Sequence, residues 1–315
     1  VDKVVRYAFE LARQKGVPLV SLGDTHDTKA IMRGECVSAL LSTCRAYSDV
    51  KFYVLIGNHC LWNVKDDKRH SLEFLEEVSN VYVMSNKLEP QFRTLGNVGF
   101  IPYKANVEEI DKELEFFRSI GVDTLFMHQG IKTAFQNAGR LDEDGYDPDK
   151  LKGFNVFVGH YHNPHYVNDH IYYIGSTLSH SFGEANQTKS IVSLDTSTGI
   201  MELIPSPAPQ HRSYTISEDN LSNINNIDHK SGDPVRLVLK GSKTFIDSFI
   251  KSDKLKEYGE AVKVVKEYTK TEGAINLNPK ASKIEIFSKF IEGQKLDEAT
   301  SQALLDRVKE VQTSL

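Results

Sequence analysis

The sequence predicts an α/β fold: a layered core in which helices cover a parallel or mixed sheet, followed by a smaller C-terminal unit. Two observations carry this. Amphipathic segments of helical period alternate with short apolar runs of strand length. Pro205, Pro207 and Pro209 then lie close together, a stiff and extended stretch suited to a domain boundary.

The elements follow in order. Val4, Val5, Ala8, Leu11 and Ala12 sit at helical spacing over 3–15, and Gly16 is a natural C-cap. Pro18 to Leu22 is extended and runs into Gly23-Asp24. Residues 34–47 read as a second amphipathic helix and Lys51 to Ile56 as a strand ending at Gly57. A short helix is expected over Ser71 to Val78, strands over Val81 to Met84, Val98 to Ile101 and Thr124 to Met127, and a helix over 106–119. Phe154 to Val158 leads into Gly159, and Tyr172 to Gly175 and Ser190 to Leu194 complete a strand-rich half. Beyond the prolines, Val235 to Leu239, Phe245 to Lys254 and Ala261 to Tyr268 form a small βαβ unit. Gly273 to Lys280 reads as a linker. Ser282 to Glu292 reads as a helix opened by a Ser282/Glu285 capping box and ended by Gly293. The last helix, Asp297 to Thr313, carries Leu304, Val308, Val311 and Leu315 on one stripe. The expected division is 1–205, 206–275 and 276–315.

Bulk composition narrows the function. The chain of 315 residues can hold a large domain and a smaller one. A formal net charge of −5 argues against a generally basic nucleic-acid binder but leaves room for a locally basic groove. Cys36, Cys44 and Cys60 are too few and too irregular for a disulfide framework or a structural zinc site, so free thiols in a reducing compartment are expected. No apolar run approaches the ~20 residues that span a bilayer, and no signal peptide is read. The expected setting is therefore cytoplasmic (host cytoplasm if the source is viral), with no membrane partner.

Four polar clusters carry the chemistry: Gly23-Asp24-Thr25-His26-Asp27, Gly57-Asn58-His59, His128, and Gly159-His160-Tyr161-His162. Each follows an apolar run, so the side chains stand at successive strand ends where a layered sheet can bring them to one point. A carboxylate such as Asp24 can bridge two cations, Asn58 offers a carbonyl oxygen, and His128, His160 and His162 offer imidazole nitrogens. Such mixed donors suit Mn2+, Fe2+ or Zn2+ better than Ca2+. Two such ions ~3.5–4 Å apart can activate a water and stabilise both oxygens of an in-line phosphoryl displacement. His59 is better placed as an acid for the leaving group than as a ligand. Taken singly, His128 reads as an ordinary histidine and Gly23-Asp24 as a turn. Order and placement across all four segments favour the metal reading.

These motifs, Gly-Asp-x-x-Asp, Gly-Asn-His and Gly-His-x-His with a histidine between the last two, resemble the calcineurin-like metallophosphoesterase superfamily over roughly residues 1–205. Their spacing, with Tyr173-Ile174-Gly175-Ser176 after the last histidines, is similar to that of SbcD/Mre-type DNA-repair nucleases, including tailed-phage versions. The resemblance implies an α/β/β/α sandwich, two divalent ions, most simply Mn2+ with Mg2+, Fe2+ or Zn2+ as alternatives, and DNA exo- and endonuclease activity in recombination and double-strand-break end processing. It further implies that Asp24 bridges both ions, that Asn58, His128 and His160 complete one site, that His162 belongs to the other, and that His59 contacts the scissile phosphate. The βαβ unit resembles a DNA-capping domain, and the terminal helices resemble the docking element for an SbcC/Rad-type coiled-coil ATPase. A homodimer through helices near 61–80 and 106–119 is also implied.

The chain departs from the pattern in three places. The family's opening Asp-x-His is absent from residues 1–22 and is expected upstream of Val1, the alternative being a degraded site. Cys60 stands where the family has an acid that orients the site. Asp27, at a variable position, is either a neighbour of the ligands or a helix N-cap. Lys65, Lys68 and Arg69 follow the Gly-Asn-His turn, either as a solvated loop or as DNA phosphate contacts. Trp62 is read as packing under that loop, with base stacking as the alternative. His165, His170 and His180 match no motif position and are read as non-ligands. Other phosphoesterases of the superfamily, acting on phosphoproteins or cyclic nucleotides, and a non-catalytic scaffold subunit are the rival functions.

Overall fold

The computed structural model describes residues 2–27, 32–137, 139–228, 232–259, 262–269, 288, 291 and 297–313. The chain opens with helix α1 (Asp2–Lys15) and strand β1 (Leu19–Ser21), then α2 (Gly34–Ala46) and β2 (Phe52–Leu55). A hairpin of β3 (Leu61–Asn63) and β4 (Asp66–His70) follows, then β5 (Val81–Met84), β6 (Thr94–Leu95) and β7 (Val98–Ile101). Helix α3 (Glu108–Ser119), β8 (Thr124–Met127), β9 (Asn155–Val158), β10 (His165–Asn168) and β11 (Ile171–Tyr173) lead to the hairpin β12 (Ser190–Leu194) and β13 (Met201–Pro205). The C-terminal part holds β14 (Arg212–Ser217), β15 (Val235–Gly241), α4 (Lys243–Ile250), α5 (Asp253–Lys256), β16 (Val262–Tyr268) and α6 (Glu298–Thr313).

Two sheets form the core. One has the order β1-β2-β5, all parallel. The other has the order β10-β11-β9-β8-β7-β6, with β7, β8, β9 and β11 parallel and antiparallel strands at both edges. Strand alternation assigns the layers. In β2, Phe52 and Val54 join Phe9, Ala12, Leu40 and Cys44 of α1 and α2. Tyr53 and Leu55 instead meet Phe100, Phe126 and Phe157 of the other sheet. Leu125 and Met127 of β8, with Val156 and Val158 of β9, pack against Ile110, Leu114 and Phe117 of α3. The result is helices, sheet, sheet, helix: the α/β sandwich that the sequence predicts.

Local differences have physical reasons. The helix expected over Ser71 to Val78 is only a 3-10 turn, Glu73–Leu75, closed by three-residue bonds from Leu75 to Leu72, Glu76 to Glu73 and Val78 to Leu75. That tight winding places Leu72 and Leu75 on one side, where both are fully buried. The implied dimer helix near 61–80 is thus corrected to a hairpin and a turn, while the apolar face of α3 is already covered by its own sheet. The single helix expected over Phe245 to Lys254 breaks into α4 and α5 at Ser252, whose hydroxyl and amide both bond Phe249 O.

The chain divides into two compact units: Val1–Ser213 with His229–Val235, and Tyr214–Asp228 with Arg236–Leu315. The second contains a sheet in the order β14-β15-β16 and α6, whose Leu304 is 43% exposed. The linker from Gly273 to Lys280, the Ser282/Glu285 capping box, Gly293 and Leu315 lie outside the described residues. Among the described residues, no helix is long and apolar enough to cross a membrane.

Candidate metal centre

Asp24 follows β1, Asn58 follows β2, His128 follows β8 and His160 follows β9, each just beyond the carboxyl end of its strand. This is where open α/β sheets place their ligands. Asp24, His128 and His160 come together with ligand atoms within 4.8 Å of one another. Asn58 Oδ1 lies between the two imidazoles, 3.1 Å from His128 Nε2 and 3.0 Å from His160 Nδ1.

The protons decide what such a cluster can hold. His128 Nδ1 donates to Leu22 O at 2.7 Å, since a carbonyl only accepts. In the neutral ring Nε2 then carries a lone pair and no proton, yet it lies 3.1 Å from Asp24 Oδ2 and 3.1 Å from Asn58 Oδ1. An imidazole lone pair, a carboxylate oxygen and an amide oxygen therefore face one another with no hydrogen to share, which suits a cation. Burial pushes the His160 ring down, so it is neutral and has a lone pair to give. Burial works against the charge on Asp24, while the His59 amide donates to Oδ1 at 2.9 Å and supports it. The donors present fit a divalent ion of the Mn2+, Fe2+ or Zn2+ class.

Close backbone approach explains the glycines of the motifs. A Cβ on Gly57 would stand 2.2 Å from Asp24 Oδ1 and 2.8 Å from His128 Cε1. One on Gly159 would stand 2.1 Å from Leu22 O and 3.0 Å from His128 Nδ1. Asp24 and His160 themselves adopt positive φ, 49° and 87°. Aspartate tolerates this conformation better than histidine, and such backbone strain collects at functional sites.

The remaining predicted residues fall as follows. His59 is part-buried beside Asp24, and its Nδ1 donates to the Asp27 carbonyl in a short contact. Asp27 therefore touches His59 through its backbone; its carboxylate is 3.9 Å from His59 Nδ1. Cys60 is fully buried against the backbone of Gly57, Asp24 and Thr25; burial, with the nearby Asp24 charge, pushes its thiol up to about 11. It is a protonated packing group beneath the Asp24 turn. His162 is not within the Asp24–His128–His160 group; its Nδ1 bonds Glu184 Oε1 at 2.8 Å. Lys65, Lys68 and Arg69 lie exposed on the β3–β4 hairpin. Trp62 is 46% exposed with the Arg69 guanidinium 4.0 Å over its ring, so the expectation that it packs under a loop is corrected. His165 Nε2 accepts from the Phe135 amide and His170 lies at a turn before β11, and neither belongs to the Asp24–His128–His160 group.

Three residues near the site lie outside the sequence motifs. Tyr103 has its ring 6.4 Å from that of His160, and burial and Asp24 both raise its hydroxyl. Glu184 and Lys189 form a buried pair at 2.9 Å behind His162. Nothing in the local sequence, which is mostly polar from Ser179 to Lys189, marks either residue or pairs the two.

No family model matches the chain. It is similar to the protein named "Putative phosphoesterase 244L" of Invertebrate iridescent virus 6, 24% identical over 212 residues, 64% of this chain and 73% of that protein. It is also similar to "Putative phosphoesterase 078R" of Invertebrate iridescent virus 3, 28% identical over 137 residues, 42% of this chain and 39% of that protein.

Proposed function

We propose that this chain is a metal-dependent DNA exo- and endonuclease of the SbcD/Mre type, hydrolysing phosphodiester bonds in recombination and double-strand-break end processing. The observation that carries the reading is the meeting of Asp24, Asn58, His128 and His160 acceptor atoms at four strand ends. Similarity to two viral proteins named as phosphoesterases supports phosphoester chemistry.

In this reading Asp24, Asn58, His128 and His160 hold one divalent ion, and Asp24 with His162 contributes to a second. When bound, the ions supply positive charge at the phosphoryl oxygens and lower the cost of deprotonating water. His59, braced at Nδ1 by the Asp27 carbonyl, presents Nε2 to the scissile phosphate and, as the doubly protonated imidazolium, gives its Nε2 proton to the leaving oxygen. Lys65, Lys68 and Arg69 contact DNA phosphates, and the exposed Trp62–Arg69 pair offers a stacking surface to an unpaired base. The second compact unit serves as a DNA-capping region, and the exposed face of α6 docks a coiled-coil ATPase. The assembly is a homodimer in the cytoplasm of its cell or host.

The test is cleavage of linear double-stranded DNA with Mn2+ by the wild type, His59→Ala and Asp24→Asn, alongside a phosphopeptide and a cyclic nucleotide. The expected result is DNA cleavage that falls at least ~100-fold in either variant, in line with the loss of a general acid or of a ligand. Hydrolysis of the small substrates with no action on DNA would replace the nuclease reading with a general phosphoesterase. Mn2+ binding with no hydrolysis of any of them would favour the scaffold.

A further inference from the structure

His162 is held at every polar atom but one. Its amide donates to Asn137 Oδ1 at 2.7 Å. Its carbonyl accepts from Lys189 Nζ at 2.8 Å and from the Ser176 amide at 3.1 Å. Its Nδ1 meets Glu184 Oε1 at 2.8 Å. Among the described residues Nε2 alone is left without a hydrogen-bond partner, on a side chain 32% exposed. Behind the ring, Glu184 cannot turn away. Its other oxygen, Oε2, accepts from Lys189 Nζ at 2.9 Å and from the His180 amide at 3.2 Å. Lys189 is completely buried, with its remaining bond to Gln187 Oε1 at 3.1 Å.

We infer that Glu184, locked in place by Lys189, is the positioning residue that keeps His162 in its Nδ1–H tautomer and presents the Nε2 lone pair. The physical reason is that a carboxylate only accepts, so the neutral ring bonded to it must place its single proton on Nδ1. A ring set this way can donate electrons at Nε2 to a divalent ion; the opposite tautomer would point a hydrogen there. Carboxylate partners of ligating histidines act in this manner, and losing one typically weakens metal binding ~10–100-fold. Lys189 adds a second constraint. By bridging Glu184 to the His162 carbonyl it ties the ring's partner to the ring's own backbone, so side chain and main chain are positioned together. The inference rests on the proposed metal-dependent reading only for the use of Nε2; the tautomer itself is independent of it.

The test is Glu184→Gln in the full chain. The amide preserves shape and can turn its oxygen to Lys189 and the His180 amide, which leaves its NH2 facing His162 Nδ1. A donor there demands a lone pair on Nδ1 and drives the proton to Nε2. Imidazole 15N spectra of the metal-free protein at about pH 8.5, above the ordinary histidine range, read the tautomer directly. The expected result is Nδ1–H in the wild type and Nε2–H in the variant, with calorimetric Mn2+ affinity falling ~10–100-fold at the second ion. A wild-type ring protonated at Nε2 would overturn the inference even if the variant failed to fold. So would a variant that keeps both the wild-type tautomer and the wild-type affinity. The tautomer switch in a protein that cleaves no DNA would uphold the positioning role and count only against the nuclease.

Discussion

At the scale of single residues, the centre depends on distances that one added carbon would break. Gly57 is the sharpest case. The Cβ of an alanine would stand 2.2 Å from Asp24 Oδ1 and 2.6 Å from the Asp24 amide nitrogen, so the backbone or the carboxylate must move by roughly an ångström. A misplacement of that size typically costs on the order of 100-fold in rate. Gly57→Ala should therefore keep the fold, lose tight Mn2+ binding and lose at least ~100-fold in phosphoester hydrolysis, as read by calorimetry and a cleavage assay. Wild-type Mn2+ affinity in this variant would show that the Asp24 carboxylate is not held where the geometry places it. The sequence made this glycine legible because it sits inside Gly-Asn-His. It did not make Glu184 or Lys189 legible. These lie 22 and 27 residues from His162, and only the folded chain brings them behind its ring.

Elements explain which expectations were readable. Helix α1 and strands β2, β8 and β9 follow from periodicity because each buries one defined face or both faces. The β3–β4 hairpin was not readable, since Lys65, Asp66, Asp67, Lys68 and Arg69 show no apolar alternation; the hairpin is carried by pairing at its base, Leu61 with His70. Between α3 and β7 lies another feature without local signal. Arg93, 1% exposed, bonds both oxygens of Glu113 at 2.5 and 3.0 Å, and the buried Lys104 ammonium reaches the same carboxylate at 2.9 Å. Arg93 also donates to the carbonyls of Leu88 and Phe100. One carboxylate thus balances two buried cations and fixes α3 to the sheet edge. Removing it strands Arg93 and leaves Lys104 only the half-exposed Glu109 at 3.4 Å, a change that costs about 3–5 kcal/mol for a buried pair. Glu113→Ala should lower stability by at least that much in urea unfolding, far more than truncation of the exposed Glu115 on the same helix. Equal effects for the two would mean that the buried network adds nothing to the docking of α3.

On the scale of the whole molecule, the ligands tie distant parts of one unit together. Asp24 and Asn58 belong to the three-stranded sheet, and His128 and His160 to the six-stranded one. An ion held by all four binds the native arrangement of both sheets and not the unfolded chain. It then stabilises that arrangement by RT ln(1 + [L]/Kd), about 2.7 kcal/mol at one hundred times Kd. The second compact unit contributes none of these donors. Native-state hydrogen exchange separates the two cases because it reads stability segment by segment. On adding Mn2+, amides of β1, β2, β8 and β9 should gain about 100-fold in protection under conditions where they exchange by opening of the first unit, while amides of β15 and β16 keep their rates. Asp24→Asn should abolish the gain without changing the rates measured in the absence of metal by more than a few fold. A gain confined to the loops around residues 24 and 160 would mean that the ion orders only local turns. A gain shared by β15 and β16 would mean that the two units open together. The predicted pattern requires that the ion link the two sheets of the sandwich, because only such a ligand raises the free energy of separating them.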